Sequence, residues 1–188
     1  PAVYRTADEP KVEELPNGNI LISSRYNGGR YYNIFTFSDV ASGTGSWDGA
    51  QFSGANNNGV TALDNSTNGE VLILPVTRNA DGEAMHLLLQ SIPLGPQRAN
   101  VGIYYKELAS EIDDYISPYE LARDWDGVLQ VTKLNSAYST MIWQKDNNLG
   151  LLFEEETHGK SDYAYGGYTI IYESLSIEDL TQGKYSYR

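Results

Sequence analysis

A chain of 188 residues with 40% hydrophobic and 12% aromatic content is long enough for one domain with a real core. Its formal net charge of −12 argues against a nucleic-acid partner and against an anionic membrane surface, since both need a positive face. Cysteine is absent, which excludes disulfides and thiolate chemistry, and no apolar run approaches the ~18 residues that span a bilayer. An anionic ligand would need a local cluster drawn from only thirteen basic side chains. The sequence opens at Pro1 without Met or an apolar leader, which reads as a mature or trimmed piece.

The periodicity is that of β-strands from end to end. Pro16-Asn17-Gly18 marks a turn between strands at 11–15 and 19–25, a first hairpin. Tyr26-Asn27-Gly28-Gly29 marks the next turn, and an alternating aromatic strand follows at 31–37. Residues 64–69 turn into the apolar run 70–75, and 79–82 turn into a strand at 85–92. Further strands are expected at 99–107, 128–134, 139–144, 149–154 and 168–173. The Asn-Gly and Asp-Gly pairs suit two-residue hairpins, because their central residues tolerate positive φ. Helix signals are few: Ser176 caps one short turn running to Leu180, whereas 112–122, interrupted by Pro118, reads as loop. No linker or low-complexity tract divides residues 1–188.

Many short antiparallel strands at close spacing predict an all-β fold: a sandwich, a barrel or a β-propeller. Trp47, Trp125 and Trp143 each follow a glycine- or aspartate-rich turn, the place where a Trp can plug a propeller blade. At ~40–45 residues per four-stranded blade the chain makes about four blades, which leaves open edges.

The candidate chemistry centres on Tyr138, flanked by Ser136, Ala137 and Ser139, small residues that leave a ring and hydroxyl uncrowded. Glu9 lies before the first strand, Arg25 ends the hairpin that follows, and Arg98 sits in the rigid turn Gly95-Pro96-Gln97-Arg98. Strand ends of different blades converge on one face of a propeller, so such positions can assemble one site. Each has a plainer alternative: Glu9 as a solvated loop carboxylate, Arg25 and Arg30 as surface charges beside a Gly-rich turn, Arg98 as a turn brace, and Glu154-Glu155-Glu156 as an acidic face. Arg30 stands second to Arg25. His86 and His158 lack ligand spacing, so no metal is expected, and no Gly-rich phosphate loop or other cofactor motif is present.

The segment from Glu9-Pro10-Lys11 to Ser23-Ser24-Arg25 resembles the Glu…Arg segment of bacterial exo-α-sialidases (neuraminidases), six-bladed β-propellers of the BNR/Asp-box type. Gln97-Arg98-Ala99-Asn100-Val101-Gly102 is similar to their third-arginine segment, Ser136-Ala137-Tyr138-Ser139 to the segment bearing their nucleophile, and Leu151-Leu152-Phe153-Glu154 to a strand that follows. The Asp-box survives only in degraded form, as Ser38-Asp39 through Gly45-Ser46-Trp47. The family's first arginine and acid/base Asp lie upstream of the Glu segment, and Arg5 and Asp8 are in the wrong context to replace them.

The resemblance implies the C-terminal portion of a sialidase catalytic propeller, with the N-terminal blades elsewhere, acting on sialylated glycans in the periplasm or outside a bacterial cell. It implies Tyr138 as nucleophile, Glu9 as its base, Arg25 and Arg98 as carboxylate-binding residues, and Glu154 as a support that orients the missing arginine. The chemistry is coherent. Sialic acid carries a carboxylate on its anomeric carbon, which repels a carboxylate nucleophile and tolerates a neutral phenol. A phenol of pKa ~10 needs a neighbouring base. Other readings are a non-catalytic glycan-binding propeller and a glycosidase using two carboxylates.

Overall fold

A computed structural model describes residues 8–109, 117–156 and 167–188; Arg5 and His158 lie outside them. They form an all-β arrangement of three antiparallel sheets, where the length suggested about four blades. The first sheet runs β1 (Asp8–Glu14), β2 (Ile20–Tyr26), β3 (Gly29–Asp39), with β4 (Thr44–Trp47) and β5 (Gln51–Gly54) sharing the free edge of the long β3. The second is the meander β6 (Val71–Arg78), β7 (Glu83–Pro93), β8 (Val101–Ala109), β9 (Gly127–Gln130). The third is β10 (Ser136–Trp143), β11 (Leu149–Glu156), β12 (Tyr168–Leu175), and the C-terminal β13 (Tyr185–Tyr187) returns to pair with β6.

The second sheet lies between the other two, and its central strand explains the order. On β7, Leu87 and Leu89 point into a core shared with Met141, Leu151 and Phe153 of the third sheet. Leu88 and Ile92 point the other way, into a core with Leu21, Tyr32 and Ile34 of the first. A strand buried on both faces has no polar side to alternate with, which is why 85–92 reads as a nearly continuous apolar run. Each of these leucines is fully buried, worth about 1.5–3 kcal/mol apiece in transfer terms. The third sheet is covered on one face only. Its other face shows Ile142, Leu152, Ile170 and Tyr172 to solvent.

Three local expectations change. Pro118 opens rather than breaks a helix: α1 (Pro118–Ala122) has Ser117 as N-cap, its side chain accepting from the Glu120 amide, and Pro118 at a position needing no N–H. The first hairpin and the β6–β7 hairpin are not two-residue Asn-Gly or Asp-Gly turns. Only Gly18 (φ 80°) and Gly82 (φ 76°) take positive φ, each closing a longer turn through a bond from its amide to Leu15 or Arg78. Of the three Trp, Trp125 alone is buried, between Tyr32 and Tyr104, its indole N–H bonded to the Leu121 carbonyl. The expected turn 176–180 is the helix α2 (Ile177–Thr181), capped by Ser176. No helix among the described residues is long and apolar enough to cross a membrane.

Candidate functional site

Two β-bulges build the site. On β1, Asp8 pairs with Arg25 and Lys11 with Ser23, so Glu9 and Pro10 together face a single residue of β2. Pro10 has no amide to give to the ladder, which favours an irregularity there. Glu9 takes a positive φ of 45°, uncommon for a residue with a β-carbon. On β10, Ser136 pairs with Glu155 and Ser139 with Phe153, so Ala137 and Tyr138 together face Glu154. The amide that the bulge frees on Tyr138 donates to the Glu154 carboxylate at 3.3 Å.

The two bulges bring their extra residues together. The Tyr138 hydroxyl donates to Glu9 Oε1 at 3.1 Å and accepts from Arg25 Nη1 at 3.1 Å. The same Nη1 lies 2.8 Å from Glu9 Oε2, an ion pair that closes a triangle of the three side chains. Arg25 is held from behind by Ser66, whose hydroxyl accepts from Nε at 2.9 Å, with Asp8 at 3.5 Å. Burial works against charge on Glu9, but the bonds from Arg25 and Tyr138 and the Arg25 charge outweigh it and hold the carboxyl below its ordinary range. Burial likewise works against the Arg25 cation and is outweighed by the bonds to Glu9 and Tyr138, so its pKa is raised.

Arg98 approaches from the other side. Its guanidinium carbon lies 5.5 Å from the centroid of the Tyr138 ring, a cation–π distance. Its loop is stitched to the Tyr138 strand by a bond from the Ser136 amide to the Arg98 carbonyl at 2.9 Å. Among the described residues no carboxylate lies within ion-pair range of Arg98, so an exposed guanidinium stands beside the phenol with its charge unneutralised. A cavity of about 200 Å³ opens against Tyr138, with Lys11, Asn68, Thr140 and Glu154 as polar lining and Leu152 and Ile170 as the apolar wall.

The small residues around Tyr138 also serve packing. Ser136, Ala137 and Ser139 are buried, and they are small because β10 runs tight against the second sheet. Ser139 donates to Ser91 at 2.8 Å and Ser136 Oγ accepts from the Val101 amide at 2.8 Å. Arg30, second to Arg25 as a site residue with a surface charge as its plainer alternative, is fully buried directly across from Arg25. It donates to Ser23 Oγ, the Ser23 carbonyl and the Thr67 carbonyl at 3.0–3.1 Å, with no carboxylate in range among the described residues. Burial pushes it down to about 10, so it remains a cation at neutral pH. Ser66, Thr67 and Glu70 belong to a stretch read only as a turn and start of a strand, and no motif singled them out.

His86 lies on β7 opposite Pro75 and Leu108, and burial with the charge of Arg188 lowers its pKa. No group of His, Asp or Glu suited to holding a metal occurs among the described residues. No family model matches the chain, and no curated protein matches it.

Proposed function

We propose that the chain is the nucleophile-bearing part of a retaining exo-α-sialidase of β-propeller fold, acting on terminal α-linked sialic acids. The observation that carries the reading is the Tyr138 hydroxyl bonded to both Glu9 and Arg25 at 3.1 Å. A phenol with a carboxylate at its proton and a guanidinium at its oxygen is set up to become a nucleophile. Glu9 takes the proton, and Arg25 stabilises the charge that develops on oxygen.

A Glu held below its usual range is a weak base on its own, yet it is fully ionised at neutral pH. The Arg25 donor to the phenol compensates by lowering the cost of the phenolate. The Tyr138 oxygen attacks the anomeric carbon, the glycosidic bond breaks, and a sialyl-tyrosine intermediate forms. Water then hydrolyses it, returning the proton, and two displacements give retention. Arg98 and Arg25 hold the sugar carboxylate, and a general acid protonates the leaving oxygen. Arg98, with no carboxylate in ion-pair range among the described residues, is the better placed of the two to receive one.

The test uses the full-length protein and a sialoside fluorinated beside the anomeric carbon, which slows breakdown of a glycosyl-enzyme. The expected result is a mass increase of one fluorosialyl group on the peptide containing Tyr138. An adduct on a carboxylate, or inversion of the first-formed product, would replace the reading with a two-carboxylate glycosidase. Saturable binding of sialosides with neither adduct nor turnover would favour a glycan-binding propeller.

A further inference from the structure

Glu70 stands immediately before β6 and makes contacts to three strands from two other sheets and its own. Its side-chain Oε2 accepts from Thr140 Oγ1 at 2.8 Å and pairs with Lys11 Nζ at 3.3 Å. Its main chain is fixed to β7: the Glu70 amide donates to Ser91 Oγ at 2.9 Å, and its carbonyl accepts from the Ser91 amide and the Gln90 side chain, both at 2.9 Å. The approach is close enough to require glycine at the preceding position, because a β-carbon on Gly69 would lie 1.9 Å from the Ser91 carbonyl oxygen.

The two side-chain partners are not arbitrary positions. Lys11 is the first residue of β1 back in register beyond the Glu9–Pro10 bulge. Thr140 follows Ser139, the first residue of β10 back in register beyond the Ala137–Tyr138 bulge, and Ser139 is itself bonded to the Ser91 that holds Glu70. A bulge is a local departure from the ladder, so the position of its extra residue depends on how firmly the flanks are held. One carboxylate oxygen ties both flanks to each other and, through its own backbone, to the central sheet.

We propose that Glu70 is a positioning residue that sets the separation of Glu9 and Tyr138 by clamping the ends of their two bulges together. Its consequence for turnover rests on reading Tyr138 as nucleophile and Glu9 as base. The clamp itself is a statement about geometry and is tested without substrate.

The experiment is a carboxyl-carbon NMR titration of Glu9 in the 188-residue chain and in Glu70→Ala and Glu70→Gln. Direct electrostatics and positioning predict opposite signs. Deleting a like charge by itself pushes Glu9 further down, whereas loosening the bonds that Tyr138 and Arg25 make to Glu9 lets it rise. An upward shift of at least roughly half a unit in Glu70→Ala, with a smaller one in Glu70→Gln, is expected. Glu70→Gln keeps an acceptor for Thr140 and loses only the pair with Lys11, so it also serves if Glu70→Ala fails to fold. An unchanged or lowered Glu9 titration, with or without loss of melting temperature, overturns the proposal. In the full-length protein, kcat should fall about tenfold or more while KM stays within about twofold. A raised Glu9 titration in a protein with no sialoside turnover leaves the clamp standing and removes the glycosidase reading.

Discussion

The Tyr138 hydroxyl donates to Glu9 at 3.1 Å across 129 positions of sequence, and each of the two residues is the extra residue of a β-bulge. Regular strands alternate their side chains strictly between two faces, so a residue cannot leave its face without a break in register. Here both partners break register. The bulge also creates a free amide on Tyr138, and Glu154 occupies it. The site is therefore assembled by irregularities in otherwise regular sheets.

Tyr138→Phe tests the chemistry most directly. The ring stays half-buried under Arg98, so the fold and its melting temperature should be nearly unchanged, while the atom bonded to Glu9 and Arg25 is gone. Turnover of a fluorogenic sialoside by the full-length protein should fall at least about a thousandfold. A wild-type rate would remove Tyr138 from the mechanism.

Arg98→Lys should act on binding instead. Lysine keeps the charge and loses the planar fork that matches a carboxylate, and it stacks less well over the Tyr138 ring. KM should rise roughly tenfold with a smaller change in kcat. Equal losses in both substitutions of Arg98, to Lys and to Ala, would mean that fork geometry is what matters. An Arg98→Ala protein with unchanged KM would show that this guanidinium does not meet the substrate.

Much of the fold was legible because turn chemistry and alternation are local. Pro16-Asn17-Gly18 and Asp81-Gly82 punctuate hairpins at the expected places, although the turn types differ. The bulges were not legible, since a register shift is a relation between two strands; Pro10 within a strand-like run was the one local sign of it. Arg30 was misplaced for a related reason. Beside a Gly-rich turn it looks solvated, and only the register shows it opposite Arg25 and facing the Thr67 carbonyl. Glu70 carried no signal, because its meaning lies in contacts with residues 59 positions before it and 70 after.

Arg30→Ala should be among the most destabilising single changes in the chain. It leaves the Thr67 carbonyl without the donor that Arg30 supplies, deprives the Ser23 carbonyl and hydroxyl of theirs, and opens a void between the first and second sheets. A loss of about 3–5 kcal/mol in urea unfolding is expected, well above that of Arg123→Ala, whose partner Asp124 is exposed. Similar losses in the two variants would show that the buried guanidinium is not a structural keystone.

The carboxylate of Glu9 also sets a pH dependence whose sign can be worked out. Its folded pKa lies below the 4.5 of the free group, so the native state binds fewer protons than the unfolded chain in the acid range. The stability it contributes is present above about pH 4.5 and is lost as pH falls through the lower, folded value. Asp39 and Asp81 are lowered in the same direction by the hydrogen bonds they accept, from Ser42 and from Arg78, so acid unfolding of the wild type sums several groups. Their share cancels in a comparison with Glu9→Gln. The wild type should lose its advantage over that variant as pH falls below about 4.5, and hold a constant difference from pH 6 to 8. Two parallel curves across the acid range would mean that Glu9 titrates alike in folded and unfolded chains. The bonds from Tyr138 and Arg25 would then be too weak to hold the carboxylate where the chemistry needs it.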